Sequence, residues 1–93
     1  VEIGIVTQGE KGASIIEKTT IHKIEAFCTN VVDTTGAGDF FAAGFLAGLS
    51  KNFDLMKAGV IGAACSSEII SHYGGRPEKN LKEYIKKKAG LIV

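Results

Sequence analysis

One segment, Val31–Phe41, constrains this chain more than any other. It joins an apolar pair to a polar loop that contains Gly36 and Gly38, and then runs into a helix that we predict over Ala37–Leu49. Glycine has no Cβ, so the backbone at these positions can adopt unusual φ and ψ angles and approach another group closely. The segment therefore predicts a tight glycine loop that leads directly into a helix.

The same loop is suited to bind an anion. The N–H groups of Gly36, Ala37 and Gly38 would lie at the positive end of the helix dipole, where such groups form an anion site. A transferring phosphoryl group fits there, because its negative charge is spread over three oxygens. Asp39 would lie at the rim, where an ionised carboxylate can accept the proton of an attacking hydroxyl. An anion hole beside a base is the arrangement of a kinase.

A purely structural explanation of the segment stays open on the residues alone. A glycine turn before a helix is common, and an aspartate in the first turn stabilises a helix by about 0.3–1 kcal/mol without any catalysis. The loop is not a Walker motif, since no Gly-Lys-Ser/Thr follows, and it lacks the third glycine of a dinucleotide fingerprint.

Hydrophobic patterning predicts the elements around this loop. Three strands are expected, over 2–7, 13–17 and 20–27. The last of them has two mixed faces, which is typical of an edge strand. A second helix should begin after Asp54 and run to about His72, with apolar and small residues along one buried stripe. Asn80 should cap a third helix over Leu81–Ala89.

Composition excludes several classes of protein. The chain has 93 residues, of which 45% are hydrophobic and 23% charged, which indicates a single globular domain. A formal net charge of +1 argues against nucleic acid or a membrane surface as partner. No apolar run approaches the ~20 residues of a membrane span. Cys28 and Cys65 are too few for a disulfide framework, so a reducing, cytoplasmic location is expected.

Two histidines and one glutamate are expected to be structural. Neither His22 nor His72 has a Cys, Asp or Glu partner at metal-ligand spacing, so we predict no metal role for them. Glu68 stands on a mostly apolar helix and is expected to form a salt bridge.

Three blocks of the chain resemble the ribokinase-like (PfkB-type) sugar and nucleoside kinases. Val6–Gly12 is similar to the family's strand and turn that contact the nucleotide phosphates, and Asp33–Asp39 is similar to its C-terminal signature. The Ala/Gly-rich second helix and Gly74–Pro77 resemble its adenine side, and Glu68–Pro77 looks most like bacterial adenosine kinase or sugar kinase members. The resemblance implies a Rossmann-like α/β/α ribokinase-type fold, with residues 1–93 as its C-terminal nucleotide-binding part.

The resemblance also implies roles for particular residues. Asp39 matches the catalytic base, and residues 36–38 match the anion hole. Thr7 and Gly9 match positions that contact the nucleotide. Many sugar-kinase members carry an asparagine where this chain has Gly62–Ala64, which leaves the base specificity open.

A substrate site and a monovalent-cation site follow from the same resemblance. Asp33 matches a substrate-binding aspartate that in many members lies near a potassium ion. Backbone oxygens hold that ion, at positions that match Asp33 and Thr35 and in the turn after the second helix.

The implied reaction transfers the γ-phosphoryl of ATP, with Mg²⁺, to a primary hydroxyl of a small sugar or nucleoside. The family is considerably longer than this chain, and its N-terminal part supplies the sugar pocket and the lid. We therefore expect the isolated 93 residues to be inactive. The alternative is a truncated, inactive nucleotide-binding fragment of such a kinase. Family dimers often form through the lid, so a homodimer of the full-length protein stays open.

Overall fold

The computed structural model describes residues 3–7, 12–27, 31–33, 36–72 and 80–92. These residues form six elements in the predicted order: β1 (Ile3–Thr7), β2 (Ala13–Glu17), β3 (Thr20–Ile24), α1 (Ala37–Ser50), α2 (Leu55–Ile70) and α3 (Leu81–Ala89). The predictions of β2 and α3 are confirmed residue for residue. No helix of the described residues is both long and apolar enough to cross a bilayer.

The three strands form an antiparallel sheet in the order β1-β2-β3. β3 lies at the edge of this sheet, as its mixed faces predict. It ends at Ile24 rather than at Phe27, because Ile24 pairs with Ala13, the first residue of β2, and no further partner residue follows. Gly12 lies against the same point, and a Cβ on it would fall only 2.0 Å from the carbonyl oxygen of Ile24.

Side chains alternate between the two faces of the sheet. The inner face presents Ile15 and Ile24, both buried, to the helices. Thr7 pairs with Ala13, which is also buried on that face, so the Thr7 side chain is directed towards the helices as well. The outer face exposes Ile21, whose exposed fraction is 59%. The register therefore decides that Thr7 faces α1.

Glycines allow α1 and α2 to approach each other closely. A Cβ on Gly44 would lie 2.9 Å from Sγ of Cys65, and a Cβ on Gly62 would lie 2.7 Å from the backbone oxygen of Phe41. Side-chain carbons do not come so close to a backbone atom without a shift of the chain. The small residues of both helices thus set the separation between them.

Helix α2 is the centre of the molecule. It packs against the sheet on one side, against α1 on another and against α3 on a third. Tyr84 and Ile85 of α3 are buried against it, and the Tyr84 hydroxyl lies 2.8 Å from Oγ of Ser67. This contact gives two buried hydroxyl groups a hydrogen-bond partner.

Cys65 is a small residue of the core. Its exposed fraction is 4%, and it packs in the cluster between α2 and α3. Burial, and to a lesser extent the Glu68 carboxylate nearby, raises the pKa of its thiol. The thiol is therefore protonated and inert in neutral solution.

Candidate active site

Helix α1 begins at a glycine in the left-handed conformation. Gly36 is its N-cap residue, with φ 79° and ψ 1°. Its carbonyl oxygen accepts the first helical hydrogen bond, from the N–H of Phe40 at 3.0 Å. The N–H groups of Ala37, Gly38 and Asp39 precede that bond, so the helix itself offers them no acceptor. They are available to an anion at the positive end of the helix.

The other two described helices begin differently. The Asp54 side chain accepts a hydrogen bond from the N–H of Lys57 at 2.8 Å, which caps α2. Asn80 Oδ1 accepts one from the N–H of Glu83 at 3.2 Å, which caps α3. Gly36 has no side chain with which to cap α1. Among the described helices, α1 is therefore the one whose first turn receives no side-chain cap from its own N-cap residue.

Thr7 lies beside this helix start. It is the last residue of β1, and a Cβ built on Gly38 would lie 3.9 Å from Thr7 Oγ1. The structure thus brings together two predicted site positions that are far apart in sequence. Gly9, the other predicted nucleotide contact, lies outside the described residues.

Asp39 occupies the first turn of α1 and is exposed to solvent. Its carboxylate is accessible to an incoming hydroxyl, which the predicted role as base requires. Its position on the third residue of the helix places it next to the N–H groups that would hold the anion. The geometry therefore permits a base and an anion hole on the same helix turn.

Asp33 is half-buried and is tied to the far end of α2. The backbone oxygen of Ile70, the last residue of α2, accepts the N–H of Val32 at 2.7 Å and the N–H of Asp33 at 3.2 Å. These two bonds fix the chain three residues before Gly36. The described part of the loop that leads into α1 is thus anchored on a buried helix.

The end of α2 corrects two of our predictions. The helix ends at Ile70 rather than at His72, since the Ser71 hydroxyl donates to the Glu68 backbone oxygen at 2.6 Å and the Ile70 oxygen is turned to the loop. His72 also has an acidic partner, because its Nε2 lies 2.8 Å from Oε1 of Glu68. This contact is the expected salt bridge of Glu68 when His72 is protonated. A spacing of four residues on a helix was the signal for this pair, and a search for metal-ligand spacing overlooks it.

The predicted metal positions remain predictions. Among the residues that the structure describes, no three His, Cys, Asp or Glu side chains come together as a metal site. Thr35, one of the two positions whose backbone oxygen was assigned to a potassium ion, lies outside the described residues, as does Cys28.

Comparison with known proteins gives consistent results. A nucleoside kinase from Methanocaldococcus jannaschii is 47% identical over 73 residues, which cover 75% of this chain and 24% of that protein. The crystal structure of a probable sugar kinase from Rhizobium etli matches with a TM-score of 0.90 and 41% identity, over 97% of this chain and 27% of that one. An adenosine kinase from Sinorhizobium meliloti matches with a TM-score of 0.86 and 31% identity, over 91% of this chain and 26% of that one. The chain therefore spans about a quarter of the length of these relatives.

The likeness extends over the described sheet and helices. The high TM-scores show the ribokinase-type α/β fold that the sequence motifs imply. The sequence model of the pfkB family carbohydrate kinases matches residues 1–81, which include the glycine loop, Asp39 and all of α1 and α2. This chain belongs to the pfkB family of carbohydrate kinases.

Proposed function

We propose that this chain is the nucleotide-binding part of an ATP-dependent phosphotransferase. The reaction would transfer the γ-phosphoryl group to a primary hydroxyl of a sugar or nucleoside. The observation that carries the proposal is the start of α1, where a left-handed glycine without a capping side chain stands three residues before an exposed aspartate. Relatives in sequence and structure, named as sugar, nucleoside and adenosine kinases, support the same class of reaction.

The N–H groups of residues 36–38 would bind the phosphoryl oxygens. They lie at the positive end of α1, and their charge stabilisation would grow as negative charge spreads over the transferring group. Thr7 Oγ1, on the same side of the loop, would contact the nucleotide phosphates. These groups are held by β1 and α1 before the ligand arrives, so little reorganisation is needed at the moment of transfer.

Asp39 would act as the general base. Its carboxylate would accept the proton of the acceptor hydroxyl as the oxygen attacks phosphorus, in line with the leaving oxygen of ADP. Asp33 would orient the acceptor from the loop that the Ile70 oxygen anchors. The anion hole then acts on the phosphoryl group, and the base acts on the acceptor hydroxyl, as the new P–O bond forms.

Cations enter the proposal through the substrate. Mg²⁺ would supply charge neutralisation on the phosphates of ATP. The described residues contain no cluster of three acidic, His or Cys side chains to hold it, so no step is assigned to a protein-bound magnesium ion. We include a potassium ion at the backbone oxygens of Asp33 and Thr35 because the sequence resembles kinases in which such an ion lies at the matching positions.

The test is ADP release by the complete gene product, with Mg²⁺ and K⁺ present and adenosine, ribose, fructose or no acceptor supplied. Release that depends on adenosine assigns the protein to nucleosides, and release that depends on a sugar assigns it to sugars. Nucleotide binding without ADP release under any of these conditions would instead favour the inactive nucleotide-binding fragment.

The assignment of the base is tested by Asp39→Asn. We expect kcat to fall about 10²–10⁴-fold, because the amide cannot accept the proton, with little change in melting temperature. Asp54→Asn is the matched control, since asparagine caps a helix as well as aspartate and Asp54 lies at another helix start. An Asp39→Asn variant with near-normal turnover refutes the role of this carboxylate.

A further inference from the structure

A fully buried carboxylate lies in α2, away from the glycine loop. Glu68 has an exposed fraction of 0%, in a helix whose neighbouring positions Cys65 and Ile69 are apolar and buried. Removing a carboxylate from water costs several kcal/mol unless it is paired and hydrogen-bonded. A hydrophobic residue would serve the stability of this core at least as well. The presence of a carboxylate at this position therefore indicates a role other than packing.

The residues that follow α2 turn back onto Glu68. Ser71 bonds to the Glu68 backbone oxygen through both its hydroxyl, at 2.6 Å, and its N–H, at 3.3 Å. His72, whose side chain is 10% exposed, reaches the Glu68 carboxylate with its Nε2 at 2.8 Å. Glu68 thus fastens both residues of the turn, one through its backbone and the other through its side chain.

The fastened turn fixes one acceptor atom in space. Ile70 stands between Glu68 and His72, and its backbone oxygen is the atom that accepts the N–H groups of Val32 and Asp33. Ile70 is the last residue of α2, so if the turn at Ser71 and His72 loosens, this end of the helix frays and the oxygen that holds both loop amides is displaced. A short chain of contacts therefore runs from the Glu68–His72 pair, through the Ile70 oxygen, to Asp33.

We propose that Glu68 and His72 are a positioning pair, which holds Val32 and Asp33, and through them the entry to α1, in the geometry that phosphoryl transfer requires. The inference rests on the proposed function. Neither residue touches the reacting groups, and both act through the Ile70 oxygen. Displacement of a substrate-orienting group by about 1 Å can lower a rate 10²-fold, so loss of this buried link should lower the rate of phosphoryl transfer.

The first measurement follows the link itself, by hydrogen exchange at the Val32 and Asp33 amides of the complete gene product. His72→Phe removes the bond but leaves the Glu68 carboxylate buried, which can prevent folding. The double variant Glu68→Met/His72→Phe removes both partners and avoids that penalty. In this double variant we expect the Val32 and Asp33 amide hydrogens to exchange about tenfold faster.

Two variants make the measurement specific. His72→Gln keeps an N–H donor in the side chain, so it should restore slow exchange at both amides. Ser67→Ala removes the buried hydrogen bond to Tyr84 one residue from Glu68, on the side of α2 that faces α3. It should lower the melting temperature without changing exchange at Val32 or Asp33.

Kinetics then test the consequence for the reaction. In the double variant we expect kcat/KM for the acceptor to fall about 10–100-fold. KM for ATP should change less than KM for the acceptor, because Thr7 is held by β1 and not by this link. His72→Gln should recover most of the loss, and Ser67→Ala should show none.

The outcomes separate this inference from the proposed function. Unchanged exchange at Val32 and Asp33 in the double variant overturns the positioning pair, whatever the activity. A kinetic loss of equal size in Ser67→Ala overturns it too, since the effect would then follow stability alone. Faster exchange in a protein that transfers no phosphoryl group supports the link and rejects only the kinase assignment.

Discussion

Helices α1 and α3 begin in opposite ways. At the start of α3 the Asn80 side chain accepts the N–H of Glu83, so a group of the protein satisfies part of the first turn. At the start of α1, Gly36 adopts a left-handed conformation and offers no such acceptor. Asp54 caps α2 in the manner of Asn80, so the two capped helices share one design and α1 departs from it.

In the function we propose, the difference separates a helix start that serves the fold from one whose N–H groups bind a ligand. A capping side chain stabilises a helix by about 1 kcal/mol relative to alanine but only by a few tenths relative to glycine, so an uncapped Gly36 costs α1 little. Its first N–H groups lie at the positive end of the dipole, beside Thr7 and Asp39, and the helix itself gives them no acceptor. The substitutions below compare the two kinds of helix start. They also compare Gly36 with Gly90, which shares its positive φ, and Gly38 with Gly62, which likewise lies within a helix.

Among these glycine and cap substitutions, the largest effect is expected from Gly36→Ala. A non-glycine residue in the left-handed region costs about 1–2 kcal/mol, and relief of that strain would turn the N–H groups of the loop away from the anion. We expect kcat to fall about 10²–10³-fold, by analogy with the loss of one aligned oxyanion donor. Steady-state kinetics and thermal unfolding of the complete gene product measure the two effects.

Gly90→Ala is the control for this strain. Gly90 ends α3 with φ 70°, close to the φ of 79° at Gly36, and apart from its chain neighbours no atom of the described residues lies within 4 Å of the Cβ it would gain. The two variants should lose similar stability, while only Gly36→Ala loses activity. Equal activity in both would remove the reason to see the α1 start as a binding site.

A second pair of glycines separates binding from packing. A Cβ on Gly38 meets Thr7 Oγ1 at 3.9 Å, an ordinary contact, whereas a Cβ on Gly62 meets the Phe41 backbone at 2.7 Å. Gly38→Ala should therefore keep or raise stability by up to ~1 kcal/mol, since alanine favours a helix. Gly62→Ala should lose about 1–3 kcal/mol through overpacking.

Activity should follow the opposite order. The methyl group in Gly38→Ala stands on the Thr7 side of the proposed phosphate site, so we expect a higher KM for ATP in a stable protein. Gly62→Ala should raise KM for ATP less than Gly38→Ala does, at temperatures at which it stays folded, because its methyl group lies on α2, the helix that resembles the adenine side, and not at the proposed phosphate site. Calorimetry and KM determination on the same samples check this inversion, and a Gly38→Ala variant with unchanged KM contradicts it.

Local sequence signals predicted much of this structure. Asp54 and Asn80 predict the starts of α2 and α3, because a helix cap needs only a polar side chain and the N–H group of the residue three positions later. The strand ends and the helix end were less predictable. β3 stops at Ile24 because β2 begins at Ala13, and α2 stops at Ile70 because a loop nearly forty residues earlier in the chain binds its last carbonyl. Both depend on a partner that local propensity does not contain.

In the candidate site, too, some contacts follow from local sequence and others depend on distant segments. Gly36, Gly38 and Asp39 stand within one motif, so their proximity follows from the sequence itself. The approach of Thr7 to Gly38 depends on the register of β1 with β2, and the link from Glu68 to Asp33 depends on the packing of α2. Such contacts between distant segments appear only once the elements are assembled.

The smallest effect is expected from Asn80→Ala. Loss of the cap leaves the Glu83 N–H without its side-chain acceptor and should lower the free energy of unfolding by about 1 kcal/mol. The start of α3 lies outside the proposed site, so kcat and KM should not change. Urea unfolding and steady-state assays of the same preparation measure both. A loss of turnover here would mean that every helix start in this molecule influences the reaction, and the contrast between the capped α3 and the uncapped α1 would lose its functional meaning.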